Sequence, residues 1–224
     1  MKIIAHRGAR IEEPENTLSA IKRAFECHAD AVEIDVRLSK DHNPVVIHDD
    51  ILERTTNGSG KVCEQTLNQL RTLDAGKGEK IPLLSEVLLL VKELEIELVI
   101  ELKEEEMEKR IVPEIVEAEM EHSVTVSSFF HHSLRNVKEL APGIKTGVIL
   151  SSLPIFPVQV AIDARADSIF QKYPRLNREY VVEALSNGID IYPWTINTRE
   201  DYEKVRELGV HGIVTDNPCL FKSH

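Results

Sequence analysis

The sequence predicts an α/β fold, a single (β/α)8 TIM barrel with a β-hairpin excursion after the second strand and no large insertion domain. Two observations indicate this fold. Short β-branched runs alternate with longer helical patterns from end to end, as in parallel βαβ units, and the runs number eight. The 224 residues also fit one barrel domain covering residues 1–224. An open doubly wound sheet is the alternative.

The predicted elements follow one another as eight strand–helix units. The strands are Lys2–Ala5, Ala31–Val36, Glu97–Leu102, Val124–Ser128, Lys145–Leu150, Ser168–Gln171, Ile189–Trp194 and His211–Thr215. The helices are Thr17–Cys27, Leu84–Leu94, Met107–Glu121, His132–Leu140, Asn177–Asn187 and Arg199–Leu208. Gly188 and Gly209 stand where helix C-caps belong. Prolines between Leu150 and Ser168 permit at most a short helix there.

The run Val45–His48 does not fit as a further barrel strand. Residues 37–44 are too few for a parallel crossover, which needs a dozen or more. We therefore expect an antiparallel arm on the second strand, with a turn through Asp41-His42-Asn43-Pro44. This arm brings His48 beside the segment Asp35–Arg37.

The composition is acidic. The chain has 38 acidic and 27 basic residues and a formal net charge of −11. This balance argues against a non-specific binder of nucleic acid or anionic membranes, which needs a basic face. An anionic small-molecule substrate stays compatible with it, because a site can be locally basic.

Cysteine usage and hydropathy suggest a location. The three cysteines Cys27, Cys63 and Cys219 are an odd number without a Cys-x-x-Cys pair, so we expect buried thiols in a reducing compartment and no disulfide. The N-terminus reaches His6 before any signal-peptide-like apolar stretch. The longest uncharged run, Thr146–Ile162, is too short and too interrupted by proline to insert stably in a membrane. A cytoplasmic location is expected.

Ionisable residues end several predicted strands. They are His6 and Arg7 on the first strand, Glu33 and Asp35 on the second, and Glu101 and Lys103 on the third. Period-two alternation places each carboxylate pair or carboxylate–lysine pair on one face of its strand. We expect that face to line the barrel mouth, where catalysis normally occurs. In the alternative, Ile34 and Ile100 face the barrel and the charges lie outside.

Three carboxylates at one rim form an oxygen-only site for Mg²⁺, Ca²⁺ or Mn²⁺. With a phosphodiester they carry −4, which Arg7, Lys103 and a divalent cation would balance. His6 and His48 flank the site and supply the base and the acid that displacement at phosphorus requires. We expect nearby carboxylates to keep one imidazole protonated near neutral pH.

Nine short motifs in order carry a family resemblance. They are His6-Arg7-Gly8, PENT (14–17), EIDV (33–36), VVIHDD (45–50), RTTNGSG (54–60), IELK (100–103), SSF (127–129), WTIN (194–197) and GIVTDNP (212–218). The sequence resembles the glycerophosphodiester phosphodiesterase family, whose fold is a TIM barrel.

The resemblance implies hydrolysis of a small-molecule glycerophosphodiester to sn-glycerol 3-phosphate and an alcohol. It also implies Glu33, Asp35 and Glu101 as ligands of one divalent cation. It assigns His6 and His48 as the acid/base pair, with Arg7 and Lys103 on the phosphate. Two departures stand out: residues 27–31 replace the family's usual Gly-Ala-Asp-Gly turn, and the loop 49–80 is too short for the helical insertion of some members.

Other residues have competing interpretations. Trp194 is expected to pack against the glycerol, with a core position as the alternative. Asn16 is read as a helix N-cap. His131 and His132 are read as solvated. Leu153–Ile162 is expected to pack in the core, and a membrane-facing lip is the alternative.

Three further functions compete with this hypothesis. A class I aldolase-like lyase would use Lys103 as a Schiff-base nucleophile. A non-catalytic phosphate-binding module would need no flanking histidines. A related metal-dependent lipid phosphodiesterase would act on lysophospholipids.

Overall fold

The structure is a computed structural model that describes residues 1–221. The strands are β1 (Lys2–His6), β2 (Ala31–Leu38), β3 (Pro44–Val46), β4 (Glu97–Leu102), β5 (Val124–Ser128), β6 (Lys145–Leu150), β7 (Ser168–Lys172), β8 (Asp190–Trp194) and β9 (Gly212–Thr215). The helices are α1 (Leu18–Glu26), α2 (Leu67–Leu70), α3 (Leu84–Glu93), α4 (Glu108–Glu117), α5 (His131–Leu140), α6 (Pro157–Asp163), α7 (Arg178–Ser186) and α8 (Arg199–Leu208). Short 3₁₀ helices cover Val62–Glu64 and Pro218–Phe221. The last three residues of the predicted domain, 222–224, lie outside the described part.

The parallel strands close into a barrel. β1 pairs with both β9 and β2, and the remaining strands follow in the order β8, β7, β6, β5, β4 back to β2. The closed eight-stranded barrel with surrounding helices confirms the predicted fold. β3 lies outside the barrel and pairs antiparallel with the outer end of β2, with Val46 opposite Val36.

Alternation along the strands separates two apolar layers. Ile34 and Ile100 face the helices within the larger core cluster. A smaller cluster fills the barrel interior with Ile4, Ala31, Val99, Ile149, Phe170, Tyr192 and Val214. The alternative in which Ile34 and Ile100 face the barrel is therefore wrong, and the carboxylates that alternate with them point inward.

Glycine makes room for the aromatic part of this interior. The rings of Phe170 and Tyr192 stack with centroids 5.3 Å apart. A Cβ at Gly147 would lie 2.5 Å from the Phe170 ring, so only glycine fits there without displacement. The packed apolar cluster in the barrel interior separates the carboxyl-terminal end of the barrel, which we call the mouth, from the amino-terminal end, which we call the foot.

The cysteine prediction is wrong. Cys27 and Cys219 form a disulfide with Cα atoms 4.7 Å apart, and Cys63 is exposed. The linear separation hides the pairing, because closure of the barrel brings the end of α1 next to the segment after β9. The disulfide removes one of the three grounds for expecting a cytoplasmic location.

Two segment predictions also need correction. The helix predicted over Met107–Glu121 covers only Glu108–Glu117. In the run 153–162, Pro157, Val158 and Ala161 are buried, whereas Leu153, Ile155 and Phe156 are exposed and do not pack in the core. Among residues 1–221 no helix has the length and apolar character needed to cross a membrane.

Candidate active site

Three buried carboxylates converge at the mouth. Glu33 and Asp35 project from β2 and Glu101 from β4, where Asp35 and Glu101 are direct neighbours in the strand register. One oxygen from each side chain lies within 4.8 Å of the others. All three residues are at most 8% exposed. Such an oxygen-rich cluster is suited to a hard divalent cation.

The three carboxylates have fewer hydrogen-bond and charge partners than buried negative groups need. Glu33 Oε2 accepts a hydrogen bond from the Arg7 amide at 3.0 Å, but Glu33 Oε1 and Asp35 Oδ1 have no hydrogen-bond partner. Burial, together with the charges of Asp35 and Glu101, raises the pKa of Glu33 well above its ordinary value. Burial and the Asp35 charge also raise the pKa of Glu101. Glu33 Oε1 without any partner, Asp35 Oδ1 with only an ion-pair contact, and two disfavoured negative charges fit a cation site at this point.

Two cations lie beside the cluster. Arg7 Nε is 3.0 Å from Asp35, and Lys103 Nζ is 2.6 Å from Glu101 and 3.4 Å from Asp35. Burial by itself would raise the pKa of Asp35, but the charges of Arg7 and Lys103 outweigh the effect of burial, and the net result is a lowered pKa. Two cations against three carboxylates leave one negative charge, which would repel a phosphodiester without a further cation.

Both predicted histidines line one cavity of about 190 Å³ at the mouth, together with Trp194. His6 Nδ1 lies 2.7 Å from Asp216, and His48 Nδ1 lies 2.5 Å from Asp49. A carboxylate on Nδ1 fixes each ring and leaves Nε2 for proton transfer. Burial lowers the pKa of His48 despite the neighbouring Asp35 charge.

The residues that hold these rings escaped the sequence reasoning. Asp216 also accepts a hydrogen bond from Asn197 at 2.7 Å, and Arg54 bridges Asp49 to Glu15. Burial opposes ionisation of Asp216, but His6 and Asn197 lower its pKa to about 2. These residues lie in loops, beyond the reach of strand alternation. The motifs GIVTDNP, WTIN, VVIHDD, RTTNGSG and PENT contain them and were the available signal.

The helix-cap interpretation of Asn16 is wrong. Thr17 caps α1 by accepting a hydrogen bond from the Ala20 amide. Asn16 is buried with φ +59° and bonds Asp35 twice: its amide donates to Oδ2 at 2.8 Å, and its oxygen accepts from the Asp35 amide. The side chain therefore orients a carboxylate of the cluster.

Trp194 forms an apolar wall of the mouth cavity. Its indole N–H donates to the Phe170 carbonyl at 3.0 Å, and the Phe129 ring meets it edge-on with centroids 6.2 Å apart. The indole is thus both anchored to the core and open to the cavity. His131 and His132 do not line that cavity.

Comparisons with known proteins agree with this site. The model of the Glycerophosphoryl diester phosphodiesterase family matches residues 6–220. A glycerophosphodiester phosphodiesterase of Caldanaerobacter subterraneus subsp. tengcongensis is 40% identical over 228 residues, covering 96% of this chain and 94% of the relative. A glycerophosphodiester phosphodiesterase structure from Agrobacterium tumefaciens is 29% identical with a TM-score of 0.88, covering 99% of each chain.

A structure with a bound product is similar as well. The Oleispira antarctica phosphodiesterase in complex with the product sn-glycerol-3-phosphate is 30% identical to this chain. Its TM-score is 0.90, and the match covers 98% of this chain and 94% of that one.

Proposed function

The chain belongs to the glycerophosphoryl diester phosphodiesterase family and is a phosphoric diester hydrolase, and we propose that it hydrolyses glycerophosphodiesters to sn-glycerol 3-phosphate and an alcohol with the help of a divalent cation and two histidines. The observation that carries the proposal is the convergence of three buried carboxylates at a cavity that is also lined by two histidines. The product bound by the Oleispira relative supports the choice of substrate.

Glu33, Asp35 and Glu101 are proposed to hold one divalent cation, Mg²⁺, Ca²⁺ or Mn²⁺. Glu33 Oε1 and Asp35 Oδ1, which are buried and accept no hydrogen bond, support this assignment. When bound, the cation supplies Lewis-acid stabilisation of negative charge on the phosphoryl group. Asn16 keeps Asp35 oriented through two hydrogen bonds.

The remaining side chains are proposed to bind the substrate and move protons. Arg7 offers forked donors and Lys103 a compact charge to the phosphate. One imidazole takes the proton of the attacking nucleophile, which is water or the glycerol 2-hydroxyl, while the other protonates the departing alkoxide. If the hydroxyl attacks, a water molecule then opens the resulting cyclic phosphate to give sn-glycerol 3-phosphate. Asp216 and Asp49 hold the two rings in the orientation for these transfers. Trp194 packs against the glycerol carbons.

Two competing functions fit the geometry less well. A Schiff-base lyase needs a Lys103 amine that is free to attack a carbonyl, but Lys103 Nζ is held 2.6 Å from Glu101 and 3.4 Å from Asp35. A phosphate-binding module has no use for two imidazoles that are each held by a carboxylate.

The test is a panel of glycerophosphodiesters and lysophospholipids with the released phosphomonoester as the readout, which is sn-glycerol 3-phosphate from the former and lysophosphatidic acid from the latter. We expect turnover that stops on chelation and returns on addition of Mg²⁺, Mn²⁺ or Ca²⁺. Release that persists in excess chelator would exclude the cation, and no release from any member would exclude the reaction. Preferred release from lysophospholipids would assign the lipid alternative.

A further inference from the structure

The loop after β6 exposes three large apolar side chains within four residues. Leu153 is 46% exposed, Ile155 89% and Phe156 68%. Single exposed apolar residues are ordinary, but a contiguous group marks an interaction surface. This loop is therefore a candidate for contact with an apolar phase or a partner.

The exposure is built into the loop. The Gln171 side chain is buried and donates to the carbonyls of Leu150 and Ser152, which ties the start of the loop to β7. Pro157 is buried at the first position of α6 and fixes the other end. Held at both ends, the apolar side chains between them cannot reach the core.

The neighbouring segment, from the end of β7 to the start of α7, is basic. Lys172, Arg175 and Arg178 are exposed, and none of them pairs with a carboxylate among residues 1–221. The loop after β4, two strands away from β6 in the barrel, carries Glu104-Glu105-Glu106. A chain with a net charge of −11 thus concentrates three unpaired cations beside its exposed apolar loop. We call Leu153, Ile155, Phe156, Lys172, Arg175 and Arg178 the apolar–basic rim.

The rim continues into the mouth cavity. The Lys172 ammonium lies 5.7 Å from the centroid of the Trp194 ring, and Trp194 lines the cavity. A surface seated on the rim would therefore reach the edge of the cavity.

We propose that the apolar–basic rim docks the protein on an anionic phospholipid surface. Ile155 and Phe156 enter the apolar boundary of the headgroup layer, while Lys172, Arg175 and Arg178 contact lipid phosphates. The overall charge of −11 opposes this docking only at long range, since charges are screened beyond about 8 Å at physiological ionic strength. Docking is peripheral and requires no membrane-spanning helix. The inference rests on the rim alone and stands apart from the reaction proposed for the cavity.

The experiment measures binding of the full chain to extruded vesicles by co-sedimentation. Vesicles of phosphatidylglycerol and phosphatidylcholine in equal parts are compared with phosphatidylcholine alone. Each of the three cations should increase the affinity for an anionic surface about five-fold. We therefore expect the chain to bind the anionic vesicles on the order of 100-fold more tightly, and this binding should weaken as the salt concentration rises. Equal binding to both vesicles, or none to either, would overturn the proposal.

Two pairs of variants test the rim itself. Ile155→Ser/Phe156→Ser and Arg175→Glu/Arg178→Glu should each weaken vesicle binding by about ten-fold or more. The matched controls Leu89→Ser/Val116→Ser and Lys22→Glu/Lys109→Glu change exposed side chains elsewhere and should bind as the unmodified chain does. Unchanged binding by both rim variants would exclude the rim as the docking site.

Two readouts separate the remaining outcomes. All four variants should melt like the unmodified chain and retain its turnover of a water-soluble glycerophosphodiester, which shows that folding and the cavity are intact. A dimer in sedimentation that the rim variants abolish would assign the surface to a second copy and overturn the lipid assignment. Vesicle binding by a chain without turnover would retain this inference while rejecting the reaction.

Discussion

The two ends of the barrel both hold a cavity lined by charged residues, but the charges are arranged in opposite ways. The foot cavity, of about 230 Å³, is slightly larger than the mouth cavity of about 190 Å³. At the foot each carboxylate has a partner: Lys2–Glu97, Lys138–Asp167 and His211–Asp190 lie 2.7 to 2.8 Å apart. At the mouth, three carboxylates share two cations.

Exposure separates the two ends further. The carboxylate side chains at the foot are at least 39% exposed, whereas the carboxylate residues at the mouth are at most 8% exposed. Water stabilises unpaired charge at the foot and cannot do so at the mouth. The larger of these two cavities lies at the foot, so cavity volume does not identify the active site. Buried carboxylates with too few cationic partners do identify it, and they lie at the mouth. The foot therefore supplies matched controls for substitutions at the mouth.

The largest contrast is expected between histidines. His48→Ala should lower kcat on the order of 10²- to 10⁴-fold, because it removes a proton-transfer group. His211→Ala, which removes the contact with Asp190 at the foot, should change kcat less than about two-fold. Steady-state release of sn-glycerol 3-phosphate measures both. Full activity of His48→Ala would refute its role.

Removing one carboxylate of the cluster should have the next largest effect. Glu101→Gln weakens the cation site and should cost several kcal/mol of transition-state stabilisation, or about 10³-fold in kcat/KM. The loss should shrink when the divalent cation concentration is raised. Glu97→Gln at the foot should show neither effect. A loss in Glu101→Gln that no cation concentration relieves would contradict the ligand assignment.

Much of the site could be predicted because it follows from strand periodicity. Alternation along β2 and β4 places Glu33, Asp35 and Glu101 on the inner face, and residues at the carboxyl ends of strands meet at one mouth. The pairing of Asp216 with His6 spans 210 residues and depends on barrel closure and loop conformation. No periodic pattern encodes such a contact.

The wrong predictions also concern features that depend on barrel closure and loop conformation. Asn16 fits a helix cap by residue type, but its backbone at φ +59° turns the side chain toward Asp35 instead. The disulfide between Cys27 and Cys219 likewise joins distant segments that only the closed barrel brings together. The exposure of Ile155 and Phe156 depends on the anchoring of the loop by Gln171, which hydropathy cannot reveal.

A smaller effect is expected for the carboxylate that orients His6. Asp216→Asn keeps the size of the side chain but removes the negative charge that faces Nδ1 of His6. We therefore expect kcat to fall by about 10- to 100-fold with little change in KM. Asp190→Asn, which alters the His211 pair at the foot, should leave kcat unchanged. Equal effects of the two substitutions would show that His6 needs no such orientation.

The same variant has a stability signature that depends on pH. The pKa of Asp216 is about 2 in the folded chain, below its value near 3.9 in an unfolded chain, so its ionised form stabilises the fold. This contribution, about 2 kcal/mol, is present above pH 4 and is lost as the pH falls toward 2. The difference in unfolding free energy between the unmodified chain and Asp216→Asn should shrink over that window.

The smallest effect is on folding stability, which a substitution at the mouth should raise and one at the foot should lower. Glu33 has a raised pKa, so its ionisation at neutral pH destabilises the cation-free fold, and stability falls as the pH rises through that pKa. In chelator, Glu33→Gln should therefore raise stability by about 1 to 2 kcal/mol, or roughly 2 to 8 °C in Tm. Glu97→Gln at the foot loses an exposed ion pair and should lower stability by less than about 1 kcal/mol. A lower Tm for Glu33→Gln in chelator would mean that its charge is already compensated.

The most direct test is a titration of the chelator-treated chain with Mn²⁺, with free Mn²⁺ followed by electron paramagnetic resonance. The convergent carboxylates predict one Mn²⁺ bound per chain, displaced by Mg²⁺ or Ca²⁺ and lost in Glu33→Gln/Glu101→Gln. The foot variant Glu97→Gln/Asp190→Asn should bind Mn²⁺ unchanged. No stoichiometric binding, or binding that survives the mouth substitutions and disappears with the foot substitutions, would contradict the account.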